Sequence, residues 1–162
     1  MAVHMLKAVQ QIPGSPDAIW SFFANPANLA KITPEAMNFQ VISDKWEKEI
    51  YPGQIIEYHV RPLLGIKMYW MTEITQVKSG EFFIDEQRKG PYKLWHHQHH
   101  FEKTEGGVMM TDLLHYSIPY GFIGSIANAI LVRSKLRALF EHRVKAIERI
   151  FGKMGDTQVH IR

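Results

Sequence analysis

The stretch Phe83 to Phe101, FIDEQRKGPYKLWHHQHHF, holds two β-prone runs split by the turn signal Lys89-Gly90-Pro91. Aromatic and branched residues on either side of a Gly-Pro break read as two strands, 81–89 and 93–104, joined as an antiparallel hairpin. In a strand, alternate side chains share a face. Trp95, His97, His99 and Phe101 therefore lie on one side of the second strand, and Leu94, His96, Gln98 and His100 on the other. The two large rings gain most from burial, so the Trp95 face is expected to look inward. His97 and His99 then point into the protein and His96 and His100 towards solvent.

The same turn chemistry repeats outward from this hairpin. Tyr51-Pro52-Gly53, Leu64-Gly65, Lys78-Ser79-Gly80 and Glu105-Gly106-Gly107 delimit further strands at 38–48, 53–61, 66–77 and 107–118. Connections this short favour antiparallel neighbours, which makes a six-stranded meander. Residues 3–12 alternate loosely and supply another strand at the start. After it, Ser15 is expected to cap a helix that has Pro16 at its first position and ends at Asn25-Pro26. A second short helix, near Ala27 to Ile32, stops at Thr33-Pro34. Beyond Pro119-Tyr120-Gly121, Ile126, Ile130, Leu136, Phe140, Ile147 and Phe151 recur at helical spacing. They predict one helix of about eight turns, ended by Gly152. The order is β-α-α-β6-α, an α+β single domain over 1–152 with 153–162 as a C-terminal tail. Seven antiparallel strands have one apolar face to cover, and the long helix is the element able to cover it.

Composition narrows the class. The chain has 162 residues, 46% apolar and 22% charged, and no cysteine, so disulfides, thiolate chemistry and zinc fingers are excluded. The opening MAVHMLKAVQQIPG has no long apolar core, and Ile118 to Val132 is interrupted by Pro119, two glycines and Asn128. Neither a signal peptide nor a membrane span is expected, and a cytoplasmic location is. From Arg133 to Lys153 seven Lys/Arg face Glu141 and Glu148. That basic run reads as the solvated face of an amphipathic helix, or as a contact for anionic membranes. Nucleic acid is not an expected partner, because the basic residues are not interleaved with aromatics.

Inward faces of the other strands are polar as well as apolar. Ile56, Tyr58 and Val60 share a face, as do Trp70, Thr72 and Ile74; Phe83, Asp85 and Gln87; and Met110, Asp112, Leu114 and Tyr116. Buried carboxylates are costly unless paired, so a contact of His97 or His99 with Asp112 or Asp85 is expected. Such a contact is either a structural network or an acid/base couple. A His-x-His strand pair also occurs in zinc sites, with Asp112 the first candidate for a third ligand and Asp85 the next. No full metal signature is present, so neither metal nor cofactor is expected. Nucleophile elbows, phosphate loops and dinucleotide fingerprints are absent too.

The pattern F-x-D-x-Q, G-P-aromatic, W-x-H-x-H-x-F in Phe83 to Phe101 resembles a segment of bacterial SRPBCC ligand-binding proteins. Phe22-Phe23, Asn28-Leu29, Ile32-Thr33-Pro34, Gly53 with Tyr58, Trp70, Met110-Thr111-Asp112 with Tyr116, and Ile118-Pro119 extend it in order from about residue 10 to 151. The resemblance implies a START-like helix-grip fold, shared with polyketide cyclase/dehydrases and birch-pollen-type allergens. In that fold a curved seven-stranded sheet wraps a long C-terminal helix and apolar molecules are held between them.

Two functional readings follow. In the first, the chain binds a small, largely apolar ligand, aromatic, polyketide-like or lipid. Tyr58, Gln87, His97, His99, Asp112 and Tyr116 then orient the ligand, and Trp70 and Trp95 form walls. In the second, it is a cyclase/dehydratase-type enzyme in which His97 or His99 removes a proton and Asp112 orients the imidazole. A lipid-handling role at membrane surfaces, using the basic helix, stands beside them.

Overall fold

Residues 2–43, 49–61, 65–119 and 131–162 are described by the computed structural model. The chain opens with β1 (His4–Pro13) and α1 (Pro16–Phe23), followed by two 3-10 turns, Pro26–Ile32 and Glu35–Met37. Then come β2 (Gln40–Val41), β3 (Ile55–Val60), β4 (Met68–Lys78), β5 (Phe82–Lys89), β6 (Leu94–Thr104) and β7 (Gly107–Ser117). Helix α2 (Arg133–Phe151) and strand β8 (Met154–Ile161) complete it. All pairings are antiparallel in one sheet of order β2-β3-β4-β5-β6-β7-β1-β8. The meander is as expected, and β1 closes against its last strand.

Three details differ from expectation. The sheet has eight strands rather than seven, because most of 153–162, read as a tail, pairs with β1. Met5 and Arg162 exchange backbone hydrogen bonds of 3.1 and 2.8 Å at its end. The strand MGDTQVHI is polar and short, and its partner lies at the opposite end of the chain, so local pattern offers no sign of it. Ser15 stands at the N-cap of α1 without a capping side-chain hydrogen bond; its backbone carbonyl accepts from Ile19 instead. Asn25 does cap the next turn, accepting from the Ala27 amide at 3.0 Å. Of the strand expected over 38–48, the described part forms only Gln40–Val41. Residues 44–48, and the expected helical positions Ile126 and Ile130, lie outside the described residues.

Two apolar clusters fill the concave face. One joins Ile12, Ile19, Trp20, Phe83, Phe101 and Ile147 beneath α1. The other joins Leu6, Leu114, Tyr116, Leu136, Phe140 and Ile161 beneath the first half of α2. Between them, strands β5, β6 and β7 present polar side chains to α2. That polar seam is where the site lies.

Candidate functional site

Strand register builds the seam. Asp85 stands opposite His97 across β5–β6, and His99 stands opposite Asp112 across β6–β7. Four inward side chains on three neighbouring strands are thereby held within reach of one another. His97 Nε2 donates to Asp112 Oδ1 at 3.1 Å and His99 Nε2 donates to Asp85 Oδ2 at 2.9 Å. His97 Nδ1 lies 3.5 Å from Asp85 Oδ2. His99 Nδ1 approaches Asp112 Oδ1 to 2.7 Å, yet off the line of a good hydrogen bond. His97, His99 and Asp112 are 3%, 6% and 6% exposed, so this is a buried charge network. The inward histidines behave as the alternation predicts. The outward pair are half-buried rather than free in solvent: His96 Nδ1 meets Glu86 at 2.9 Å and His100 meets Gln98 at 2.9 Å.

Burial and charge pull the four groups apart. Burial raises Asp112, but the hydrogen bond from His97 and the close approach and charge of His99 outweigh it and hold the carboxyl well below its usual range. Asp85 is likewise lowered overall: burial opposes it, while the His99 hydrogen bond and the charges of His97, His99 and Arg143 favour the anion. Burial and the charge of His99 push His97 down despite both carboxylates. His99 is raised, since its two carboxylate partners overcome burial. Of the two imidazoles, His99 therefore holds a proton more readily than His97.

These signs set a pH dependence. A carboxyl lowered on folding contributes stability above the unfolded value near 3.9, and loses it as pH falls towards the folded value. His97 and His99 act with opposite signs below and above pH 6.5 respectively, and both remain in Asp112→Asn, so the acid response is compared between the two proteins. Urea unfolding at about pH 5.5 and about pH 3 is expected to show a larger loss for wild type than for Asp112→Asn. Equal losses would mean that the Asp112 carboxylate is not the group being titrated.

Two neighbouring cavities open beside the seam. The smaller, about 120 Å3, has Asp85, His97 and His99 in its wall together with Phe22, Phe23 and Ile56. The larger, about 540 Å3, runs under α2 between Trp70, Tyr92, Trp95 and Leu139. Leu29, Tyr58, Trp95 and Arg143 border both. Trp70 and Trp95 meet edge to face at 5.1 Å, and Tyr58 OH, Trp70 Nε1 and Thr72 Oγ1 form a small hydrogen-bonded group at 2.9 and 3.1 Å. Burial drives the Tyr58 hydroxyl strongly upward, so it stays protonated.

Of the site residues expected from sequence, Tyr58, Trp70, Trp95, His97 and His99 line these cavities. Gln87, Asp112 and Tyr116 border neither. Gln87 clamps the Tyr92 backbone, donating to its carbonyl at 2.6 Å and accepting from its amide at 3.2 Å. Asp112 lies behind the two imidazoles, and Tyr116 is fully buried in the second apolar cluster. Asp85 sits in the wall where Asp112 was the first candidate, because the β5 side of His97 faces the open space.

Arg143 was missed. Read in sequence as part of a solvated basic face, it is only 9% exposed. Its Nε has no hydrogen-bond partner and it makes no ion pair among the described residues. The signal was available: Leu136, Phe140, Arg143 and Ile147 step by four, three and four along α2, so Arg143 occupies the apolar stripe. An arginine there is anchored through its stem and delivers its charge inward. Its guanidinium carbon lies 5.2 Å from the centre of the Phe140 ring.

No protein-family model matches the chain, and no curated protein does. Solved structures do. Protein CV1439 from Chromobacterium violaceum superposes with a TM-score of 0.70 at 13% identity, over 93% of this chain and 98% of that one. A START superfamily protein from Mycobacterium smegmatis gives 0.67 at 12%, over 91% and 97%. The chain has a START-like fold. The ginseng major latex-like protein 151 from Panax ginseng shares it, with a TM-score of 0.63 at 11% identity over 92% and 97%. At such identities the likeness speaks for the START-like fold alone. Among the described residues no helix is long and apolar enough to cross a membrane.

Proposed function

We propose that the chain binds a small, largely apolar molecule with a negatively charged or strongly accepting group at one end. The apolar body occupies the space under α2, and the polar end meets Arg143, which borders both cavities. One observation carries this reading: a buried guanidinium, with no hydrogen bond at Nε and no ion pair among the described residues, borders a cavity of about 540 Å3 walled by aromatic rings. That volume falls within the roughly 300–1,000 Å3 typical of small-molecule sites. A buried charge is costly unless it is hydrogen-bonded; the nearby charge of Asp85 offsets that of Arg143 in part, and a ligand anion supplies the hydrogen-bonding partner. A START-like fold, known for sheltering apolar molecules between sheet and helix, is consistent with it.

Anilinonaphthalene sulfonate has both an apolar body and an anion, and it tests the proposal directly. Saturable one-to-one binding is expected, with a change in tryptophan fluorescence because Trp70 and Trp95 form the walls. Dodecanoate should displace the dye. If neither compound binds saturably, and native mass spectrometry of the purified protein finds no small molecule held, the reading is wrong.

A further inference from the structure

We propose that Asp85, His97 and His99 bind one divalent transition-metal ion through Asp85 Oδ2, His97 Nδ1 and His99 Nε2, with Asp112 as the shared acceptor behind both imidazoles. The remaining coordination position faces the cavity.

The three atoms converge. Asp85 Oδ2 is 3.5 Å from His97 Nδ1 and 2.9 Å from His99 Nε2, and all three atoms lie within 4.8 Å of one another. An ion bonded at about 2.0–2.2 Å holds neighbouring ligand atoms roughly 3.0–3.5 Å apart. Small rotations of side chains are therefore enough to seat it. No backbone shift is needed, because β5 and β6 already place Asp85 opposite His97.

The arrangement behind the ligands is the stronger argument. A metal-bound imidazole offers one nitrogen lone pair to the ion and donates its other N–H to a carboxylate or carbonyl, which fixes the tautomer. Here both rings turn their far nitrogens to one oxygen: His97 Nε2 and His99 Nδ1 lie 3.1 and 2.7 Å from Asp112 Oδ1. The His97 Nε2–H is directed at Asp112, which leaves the His97 Nδ1 lone pair towards Asp85; a small turn of the His99 ring brings its Nδ1–H onto Asp112 and frees its Nε2 lone pair for the ion. On binding, the ion takes the place of the proton on His99 Nε2, which leaves to solvent. A purely structural pair of salt bridges would not need both rings to share one acceptor on the side away from the cavity.

Access and ligand type complete the case. Asp85, His97 and His99 all border the smaller cavity, whereas Asp112 does not. An ion held there has protein on one side and room for water or a ligand atom on the other, as in sites with three protein ligands and an open position. Two imidazoles and one carboxylate suit zinc, cobalt or ferrous iron and disfavour calcium or magnesium, which require oxygen ligands. The carboxylates of Asp85 and Asp112 together balance a divalent charge.

The test uses the full chain, freed of metal by chelator and titrated with Co(II) alone. One equivalent is expected to bind, with the visible absorption of a four- or five-coordinate cobalt centre. Asp85→Asn and His97→Gln should each weaken binding more than about 100-fold, and Asp112→Asn about 10–100-fold. His96→Gln, on the outer face, should change nothing, and circular dichroism shows whether each variant is folded. Wild-type protein that takes up no cobalt overturns the proposal whatever the variants do. So does cobalt binding that survives in folded His97→Gln or disappears in His96→Gln. Because no organic ligand is present, failure here is separate from failure of the ligand-binding proposal.

Discussion

Asp112→Ala is expected to lower the unfolding free energy by about 3–5 kcal/mol, the usual effect of removing one partner from a buried ionic group. The expectation rests on position: Asp112 is 6% exposed and accepts from His97 while lying 2.7 Å from His99. Without it, His99 keeps only Asp85, and His97 loses the acceptor that orients it. The cavity left behind adds a smaller packing loss. Chemical denaturation of wild type, Asp112→Ala, His99→Ala and the double variant would separate these contributions. Because both residues belong to one network, the double variant should cost clearly less than the two singles combined. Strict additivity would show that the two groups do not interact in the folded chain.

Arg143→Met is expected to weaken an anionic apolar probe by about 10–100-fold, the equivalent of losing one charge-assisted hydrogen-bonded contact. Methionine keeps a long apolar stem on α2, so packing against Phe140 is largely preserved. The informative comparison is an uncharged probe of the same ring size, whose affinity should hardly move. Calorimetric titration of both probes against both proteins decides between a charge role and a packing role. If the two affinities fall together, Arg143 shapes the cavity and does not recognise an anion. Orientation matters here too. Arg143 lies at the border of both cavities, so loss of its charge should be felt wherever the polar end of the ligand settles.

Much of this was legible before any coordinates. Alternation in KLWHHQHHF separates His97 and His99 from His96 and His100, and the burial of the first two follows that division. The inward faces of β3, β4, β5 and β7 were readable in the same way, because side-chain period in a strand is a local property. Gly-Pro and Gly-Gly punctuation marked the meander for a similar reason: turn conformations depend on one or two residues. The likeness of the seam to an acid/base or metal cluster was visible in residue types. Which carboxylate borders the cavity was not: Asp112 was the first candidate and Asp85 the next, and register places Asp85 in the wall.

The amino-acid order by itself determined which side of each strand is apolar, where the chain turns, and that one long helix must cover the sheet. These properties are set by contacts within a few residues. Only the tertiary structure decided that residues 154–161 extend the sheet beside β1, that Gln87 holds the Tyr92 backbone and Tyr116 lies in the second apolar cluster, and that Arg143 is buried with no ion pair among the described residues. Each of those outcomes depends on what a distant segment places opposite the residue. Strand pairing and cavity walls are long-range geometry, and no periodicity in a single stretch encodes them.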